Sequence, residues 1–313
     1  MSDRGFAPWT GRDDGPTVEH ARWHTVTTAW GADAVGGSDH PWGQDPGVRT
    51  AVLVGFASDE GVRRNGGRVG AAEGPGALRA ALANLSDPGC PVFDAGDVVV
   101  DDGDLEGGQI RLGEVVREIL DVGAVPVVLG GGHAVAYGTY LGWAGRPGWG
   151  VLNLDAHFDL RVADRATSGT PFAQMAAAET AAGRHFAYSV AGIARASNTR
   201  ALFDAADRLG VRVLLDEDCT PDRAIAFAED AIAGLDRVHL SVDLDVLPAS
   251  TAPGVSAPAG LGVPLEAVWR TVRAVAASGK LGLLEVAELN PRFDVDGRTA
   301  RTAARLIDAA VRG

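Results

Sequence analysis

The sequence predicts an α/β fold built on a mostly parallel sheet. Three observations point there. Apolar, β-branched runs recur along the chain, and Ala-rich segments of helical pattern separate them. The chemically distinctive residues follow directly on those runs, and open parallel sheets bind ligands at the carboxyl ends of their strands.

Taken in chain order, residues 1–48 are rich in Gly, Pro, Asp and Trp without clear period. They predict an N-terminal arm packed on the domain or on a neighbouring subunit, and residues 49–313 then form one domain. Eight runs predict strands: "TAVLVGF", "PVFDAGDVVV", "VPVVLGG", "WGVLNLDA", "FAYSVAGI", "VRVLLDE", "RVHLSVDLD" and "LGLLEVAEL". Helices are predicted between them in "GPGALRAALANL", "LGEVVREILDVG", "TPFAQMAAAETAAG", "NTRALFDAADRLG", "TPDRAIAFAEDAIAGL" and "PLEAVWRTVRAVAASG", and "TARTAARLIDAAVRG" closes the chain with one more. No internal repeat or long low-complexity linker interrupts this alternation.

Composition narrows the function classes. A chain of 313 residues with 46% hydrophobic side chains can bury a large core. No stretch reaches the roughly 18 apolar residues of a spanning helix, and the start lacks a basic segment followed by an apolar run. The expectation is a soluble, cytoplasmic protein without a membrane partner. The formal net charge of −13 argues against nucleic acid, which is bound by neutralising phosphates, so the expected partner is a small molecule. Lys280 is the only lysine, which leaves arginine forks to hold any anionic group. Cys90 and Cys219 are too few for a disulfide framework or a zinc cluster. The glycine-rich "NGGRVGAAEGPGALR" matches neither G-x-G-x-x-G nor a P-loop, and nucleotide binding has no support. It reads as a loop at the mouth of a site or as turns leading into a helix.

The chemistry gathers at four strand ends. "GGGH" follows "VPVVL", "DAHFD" follows "WGVLNL", "DLD" follows "RVHLSV", and Glu288 follows "LGLLEVA". In a strand, residues two apart share a side, so Asp155, His157 and Asp159 converge, and close carboxylates need positive charge between them. Any one of these motifs occurs often for structural reasons alone, but together they indicate a metal site. His133, Asp155, His157, Asp159, Asp243 and Asp245 offer four carboxylates and two imidazoles. That donor set suits two manganese ions about 3.5–4 Å apart, with Asp155 and Asp243 as bridges. A water held between two such ions becomes a hydroxide near neutral pH, which favours hydrolysis. The other histidines read as structural: His20, His24 and His40 fall in the arm, His185 precedes a strand, and His239 is taken to alternate with the ligands.

"GGGH", "NLDAHFD" and "SVDLDVLPASTAPGVSAP" resemble the three signature motifs of the manganese-dependent ureohydrolases, the family of arginase, agmatinase and formimidoylglutamase. The similarity runs from about Ala51 through "ELNPRFD". The resemblance implies an arginase-like, three-layer α/β/α sandwich with a mostly parallel sheet of about eight strands, and a homo-oligomer. It also implies two Mn2+ ions per subunit. His133, Asp155, Asp159 and Asp243 would hold one, and Asp155, His157, Asp243 and Asp245 the other. Glu288 matches the acid that pairs with the cationic head of the substrate. In arginases a proton-shuttling histidine lies thirteen residues after the third ligand of "DAHxD"; here that position is Phe172. "PWTGRDD", "DEGVRRNGGRVGA", "DAHFDLR", "SGTPF" and "ELNPRFDVDGRTARTAARL" are similar to the formimidoylglutamase branch.

That branch hydrolyses N-formimidoyl-L-glutamate to glutamate and formamide in histidine degradation. Such a substrate has a cationic head and two carboxylates. Glu288 would bind the head, and Arg64, Asn65 and Arg68 the carboxylates, with Arg161, Arg195, Asn198 and Arg292 as further candidates. Asp159, or a water, would pass a proton to the leaving nitrogen. The alternatives are an agmatinase or another guanidino-acid hydrolase, or, from a different class, a catalytically silent metal-stabilised binding protein.

Overall fold

The computed structural model describes residues 8–31 and 49–313. Among them nine strands form a single sheet in which every pair is parallel. The strands are β1 (Thr27–Ala29), β2 (Ala51–Ala57), β3 (Val92–Val99), β4 (Val125–Leu129), β5 (Trp149–Leu154), β6 (Tyr188–Ile193), β7 (Arg212–Leu215), β8 (Arg237–Asp243) and β9 (Leu281–Ala287), in the spatial order β1-β3-β2-β4-β9-β8-β5-β6-β7. All eight expected strands are present. The ninth, β1, comes from the N-terminal segment and pairs with β3 at the sheet edge.

Period-two alternation sends side chains to two cores. Leu53, Val127 and Leu129 face a layer built from α3 (Gly74–Ala83), α8 (Pro221–Ile232), α9 (Leu265–Ala277) and α10 (Arg298–Arg312). Val52, Val54 and Val128 face α4 (Leu105–Asp121), α5 (Val135–Trp143), α6 (Pro171–Ala181) and α7 (Arg200–Leu209). The result is helix–sheet–helix layering, as parallel strands with a buried face on each side require. Asp104 and Thr220 cap α4 and α8 by accepting from Gly107 N and Arg223 N, and left-handed Gly210 stops α7.

Three further helices lie outside the expected set: the short α1 (Trp23–Val26) and α2 (Glu60–Arg64), and α5, which follows "GGGH". α5 is buried on nearly every side, so it has no amphipathic period to read. It lies close against α4 because glycines face the contact. A Cβ on Gly113 would come within 2.7 Å of Leu141 Cβ, and one on Gly138 within 3.0 Å of Gln109 Cα.

The described part of the expected arm, residues 8–31, lies on the sheet edge and α3. Trp23 is fully buried and its indole donates to Asp308 at 2.9 Å. Trp9 stacks on Trp23 and donates to Asp94 at 2.8 Å. The remaining arm positions, including His40, lie outside the described residues.

Candidate metal centre and substrate cavity

The carboxyl ends of β4, β5, β8 and β9 meet where the strand order reverses, the usual binding crevice of open α/β sheets. "GGGH" threads between the ends of β2 and β9. A Cβ on Gly130 would lie 2.7 Å from Val286 O, and one on Gly131 would overlap Ser58 O. Only glycines let the turn pass there and deliver His133 to the centre.

The strand period does not carry the whole "DAHFD" motif, contrary to the expectation. β5 ends at Leu154, and the convergence is made by a loop. Asp155 Oδ1 accepts from His157 N at 2.7 Å, and Asp159 adopts a left-handed φ of 49°. Asp243 likewise closes β8 and accepts from Asp245 N at 2.8 Å through Oδ1. Glu288 follows β9 with φ 69°. Such backbone costs a non-glycine residue about 1–3 kcal/mol, and strain of that kind collects at working sites.

All six expected ligands are brought together. His133 Nδ1 lies 3.1 Å from Asp155 Oδ2, 2.9 Å from Asp159 Oδ2 and 3.1 Å from Asp243 Oδ2, and no hydrogen bond satisfies it. Buried donors converging around an unpartnered nitrogen are what a cation would need. Ligand atoms of His133, Asp155, Asp159 and Asp243 lie within 4.8 Å of one another, as do those of Asp155, His157 and Asp245. Asp155 therefore belongs to both groups, whereas Asp243 falls in the first. Carboxylate and imidazole donors without thiolate fit Mn2+.

The electrostatics carry the same strain. Burial, then the neighbouring Asp155 charge, raises Asp159 to about 6. Burial, then Asp245 and Asp155, pushes Asp243 well above the carboxylate range. The Asp245 charge lifts His157 to about 12. Burial raises Glu288 to about 8; its Oε1 accepts from His133 N at 2.7 Å, while its buried Oε2 has no partner.

Above the ligands opens a cavity of about 200 Å³, lined by Asn65, Arg161, Ser168, Asn198, Ser256 and Glu288 among others. Two expected substrate residues are elsewhere. Arg64 points away, paired with Glu60 and Glu106 at 2.7 Å each and donating to the carbonyls of Gly103 and Ala166. Arg68 donates to the carbonyls of Val255 and Ser256, and its guanidinium sits 4.1 Å above the Phe293 ring. Both forks are thus already occupied. Asn65 does reach the wall, donating to Ser168 Oγ at 3.1 Å. Of the further candidates, Arg195 and Arg292 pair with Glu217 and Glu73, and the Asn198 amide is taken up by backbone. Arg161 is exposed in the cavity and makes no ion pair among the described residues.

His239 is placed differently from the expectation. It shares strand parity with Ser241 and Asp243 and lies fully buried beneath the ligands, 3.6 Å from Glu285. Glu285 lies outside the expected set, although an acid inside the apolar run "LGLLEVA" is a readable signal. Phe172 is buried, edge-on to His133 at 5.4 Å and stacked on Tyr188 at 4.5 Å.

Residues 49–312 match the model of the arginase family. The chain is similar to a formimidoylglutamase of Nocardia farcinica, with 54% identity covering 97% of this chain and 95% of the relative. One of Rhodococcus jostii is 53% identical, covering 97% and 94%. A crystal structure of Trypanosoma cruzi formiminoglutamase with Mn2+ superposes with a TM-score of 0.77 at 28% identity, covering 84% of this chain and 92% of that one. An arginase structure from Bacillus subtilis gives 0.76 at 26%, covering 84% and 98%.

Proposed function

The chain belongs to the arginase family, and from that premise we propose that it hydrolyses N-formimidoyl-L-glutamate to L-glutamate and formamide, using two Mn2+ ions per subunit. The observation that carries the reading is the polarity of the cavity. A buried carboxylate, Glu288, and a guanidinium, Arg161, line the same space above the His/Asp cluster, and among the described residues neither Glu288 Oε2 nor Arg161 is paired. A substrate with a cationic amidine head and carboxylate tails matches both. Relatives about half identical over nearly the whole chain carry the same activity in their names.

His133, Asp155, Asp159 and Asp243 would hold one ion, and Asp155, His157 and Asp245, with Asp243 beside them, the other. When bound, the pair supplies Lewis acidity and a water activated near neutral pH. The chain's own residues do the rest. His133 N fixes one oxygen of Glu288, so that Oε2 accepts from the amidine N–H and aims the amidine carbon at the cluster. Arg161, with Asn65 and Ser168 beside it, holds a carboxylate. Water adds to the amidine carbon, the bond to the glutamate nitrogen breaks, and that nitrogen gains a proton. Asp159, in the cavity wall, is the acid assigned to pass it. The arginase histidine has no counterpart, since Phe172 is sealed beneath His133.

An agmatinase reading would leave Arg161 without a partner, because agmatine has no carboxylate. The test is turnover of formimidoylglutamate, agmatine, arginine and guanidinobutyrate with Mn2+. Formimidoylglutamate should be the preferred substrate, and turnover of agmatine alone overturns the assignment. The proposal treats residues 49–313 as the catalytic domain, residues 1–48 as an arm and the protein as a cytoplasmic homo-oligomer. Light scattering checks the last point. No helix among the described residues is long and apolar enough to cross a membrane.

A further inference from the structure

A line of buried polar groups runs from the ligand cluster down through the sheet. His133 Nε2 lies 2.9 Å from Ser241 Oγ, Ser241 Oγ donates to Glu285 Oε1 at 3.0 Å, and Glu285 Oε2 faces His239 Nε2 at 3.6 Å. Trp143 Nε1 donates to His239 Nδ1 at 3.3 Å. Among the described residues no hydrogen bond closes on Glu285 Oε2 or His239 Nε2, and both residues are fully buried. The site reading above uses none of Glu285, His239 or Trp143.

The line has a direction, set from its lower end. An indole N–H can only donate, so His239 Nδ1 must accept and His239 Nε2 must carry the proton. That N–H faces the Glu285 carboxylate at 3.6 Å, and an ionised carboxylate can only accept. Ser241 therefore gives its hydroxyl proton to Glu285 and turns a lone pair to His133. His133 must then donate through Nε2, which leaves the Nδ1 lone pair aimed at the metal cluster. We propose that Glu285 and His239, directed by Trp143, are positioning residues that fix His133 in the ligating tautomer. Outer groups of this kind govern metal affinity as well as activity. The inference rests on His133 being a metal ligand.

Glu285→Gln keeps the shape and breaks the direction. If the amide oxygen faces Ser241, its NH2 opposes the His239 N–H, and turning His239 around would oppose the Trp143 N–H instead. If the NH2 faces Ser241, the serine must donate to His133 Nε2, and the proton moves to Nδ1. Either way the cluster loses its lone pair or holds an unpaired buried donor.

The experiment titrates Mn2+ into metal-free wild type and E285Q and follows both ions by calorimetry and electron paramagnetic resonance. The ion shared by His133, Asp155, Asp159 and Asp243 should bind about 10- to 100-fold more weakly in E285Q. The ion held through His157 and Asp245 should be much less affected. Trp143→Phe, which keeps an aromatic ring at the position and removes the N–H donor, should show a smaller loss at the same ion and serves if E285Q does not fold. Equal losses at both ions, or none at either, overturn the positioning role. Wild type that binds no Mn2+ removes the metal reading itself, a separate outcome.

Discussion

At the scale of single residues, the site divides its arginines by what already surrounds them. Arg64 and Arg161 read alike in the sequence, each next to a motif, but Arg64 is ringed by Glu60, Glu106 and two carbonyls while Arg161 opens into the cavity. A guanidinium bond to a carboxylate contributes about 1.5–3 kcal/mol when both are otherwise unpaired. Arg161→Met should therefore raise KM for formimidoylglutamate by about 10- to 100-fold, which is that energy expressed as an affinity ratio, and leave kcat within a small factor. Thermal stability should hardly change. Arg64→Met should do the reverse, lowering the melting temperature by leaving Glu60 and Glu106 without their cation. Steady-state kinetics with a melt on each variant decides between them. An unchanged KM in R161M together with a raised KM in R64M would return the carboxylate-binding role to Arg64.

Elements set how closely those residues can approach, and glycine placement decides it. Gly131 sits where the turn after β4 crosses the end of β2, and a Cβ there would overlap Ser58 O. Gly131→Ala should cost about 1–3 kcal/mol of stability as an overpacked site, and should displace His133. Gly76 in α3 is exposed, with nothing within 4 Å of a Cβ. Gly76→Ala should add about 0.4–1 kcal/mol by restricting the unfolded chain. Urea unfolding of both reads the contrast, and a G131A protein as stable as wild type would contradict it. The same elements show how far sequence patterns reach. The eight longer strands were legible because apolar, often β-branched residues dominate each of them. α5 was not, because burial all round leaves no amphipathic period, and neither was β1, because three residues of "TTA" carry no pattern. The six clustered His and Asp side chains were legible as a group from their types and strand-end placement. Arg64 reads as free in the sequence because Glu106, which takes up its guanidinium together with the i,i+4 partner Glu60 on α2, comes from α4, and proximity across elements is not written in a local motif.

For the molecule as a whole, the centre opposes folding until it is filled. The chain carries a formal charge of −13 and still buries Asp155, Asp243, Asp245 and Glu288 together, with Asp159 half-buried beside them. Without metal, burial holds Asp159 up at about 6 and Glu288 at about 8, above their ordinary 3.8 and 4.5. Such acids take up a proton in the folded state first, so stability rises as pH falls through the folded values towards the unfolded ones. His157, raised to about 12 from 6.5 by Asp245, contributes stability that is complete below 6.5 and lost as pH climbs towards 12. All three run the same way. Glu60, Glu106 and Glu179 are held low by hydrogen bonds from Arg63, Arg64 and Arg184, and their contributions are lost only below the ordinary 4.5. The metal-free protein should therefore become more stable between about pH 8 and about pH 5. Mn2+ needs Asp159 and His157 deprotonated, so the stability it adds should be largest near pH 8 and shrink on acidification. At a hundredfold excess over Kd, each site should add about 2.7 kcal/mol. Melting curves with chelator and with Mn2+ across that range measure both trends. A metal-free melting temperature that falls on acidification, or a Mn2+ increment that grows with it, would mean that these carboxylates do not set the pH dependence of the fold.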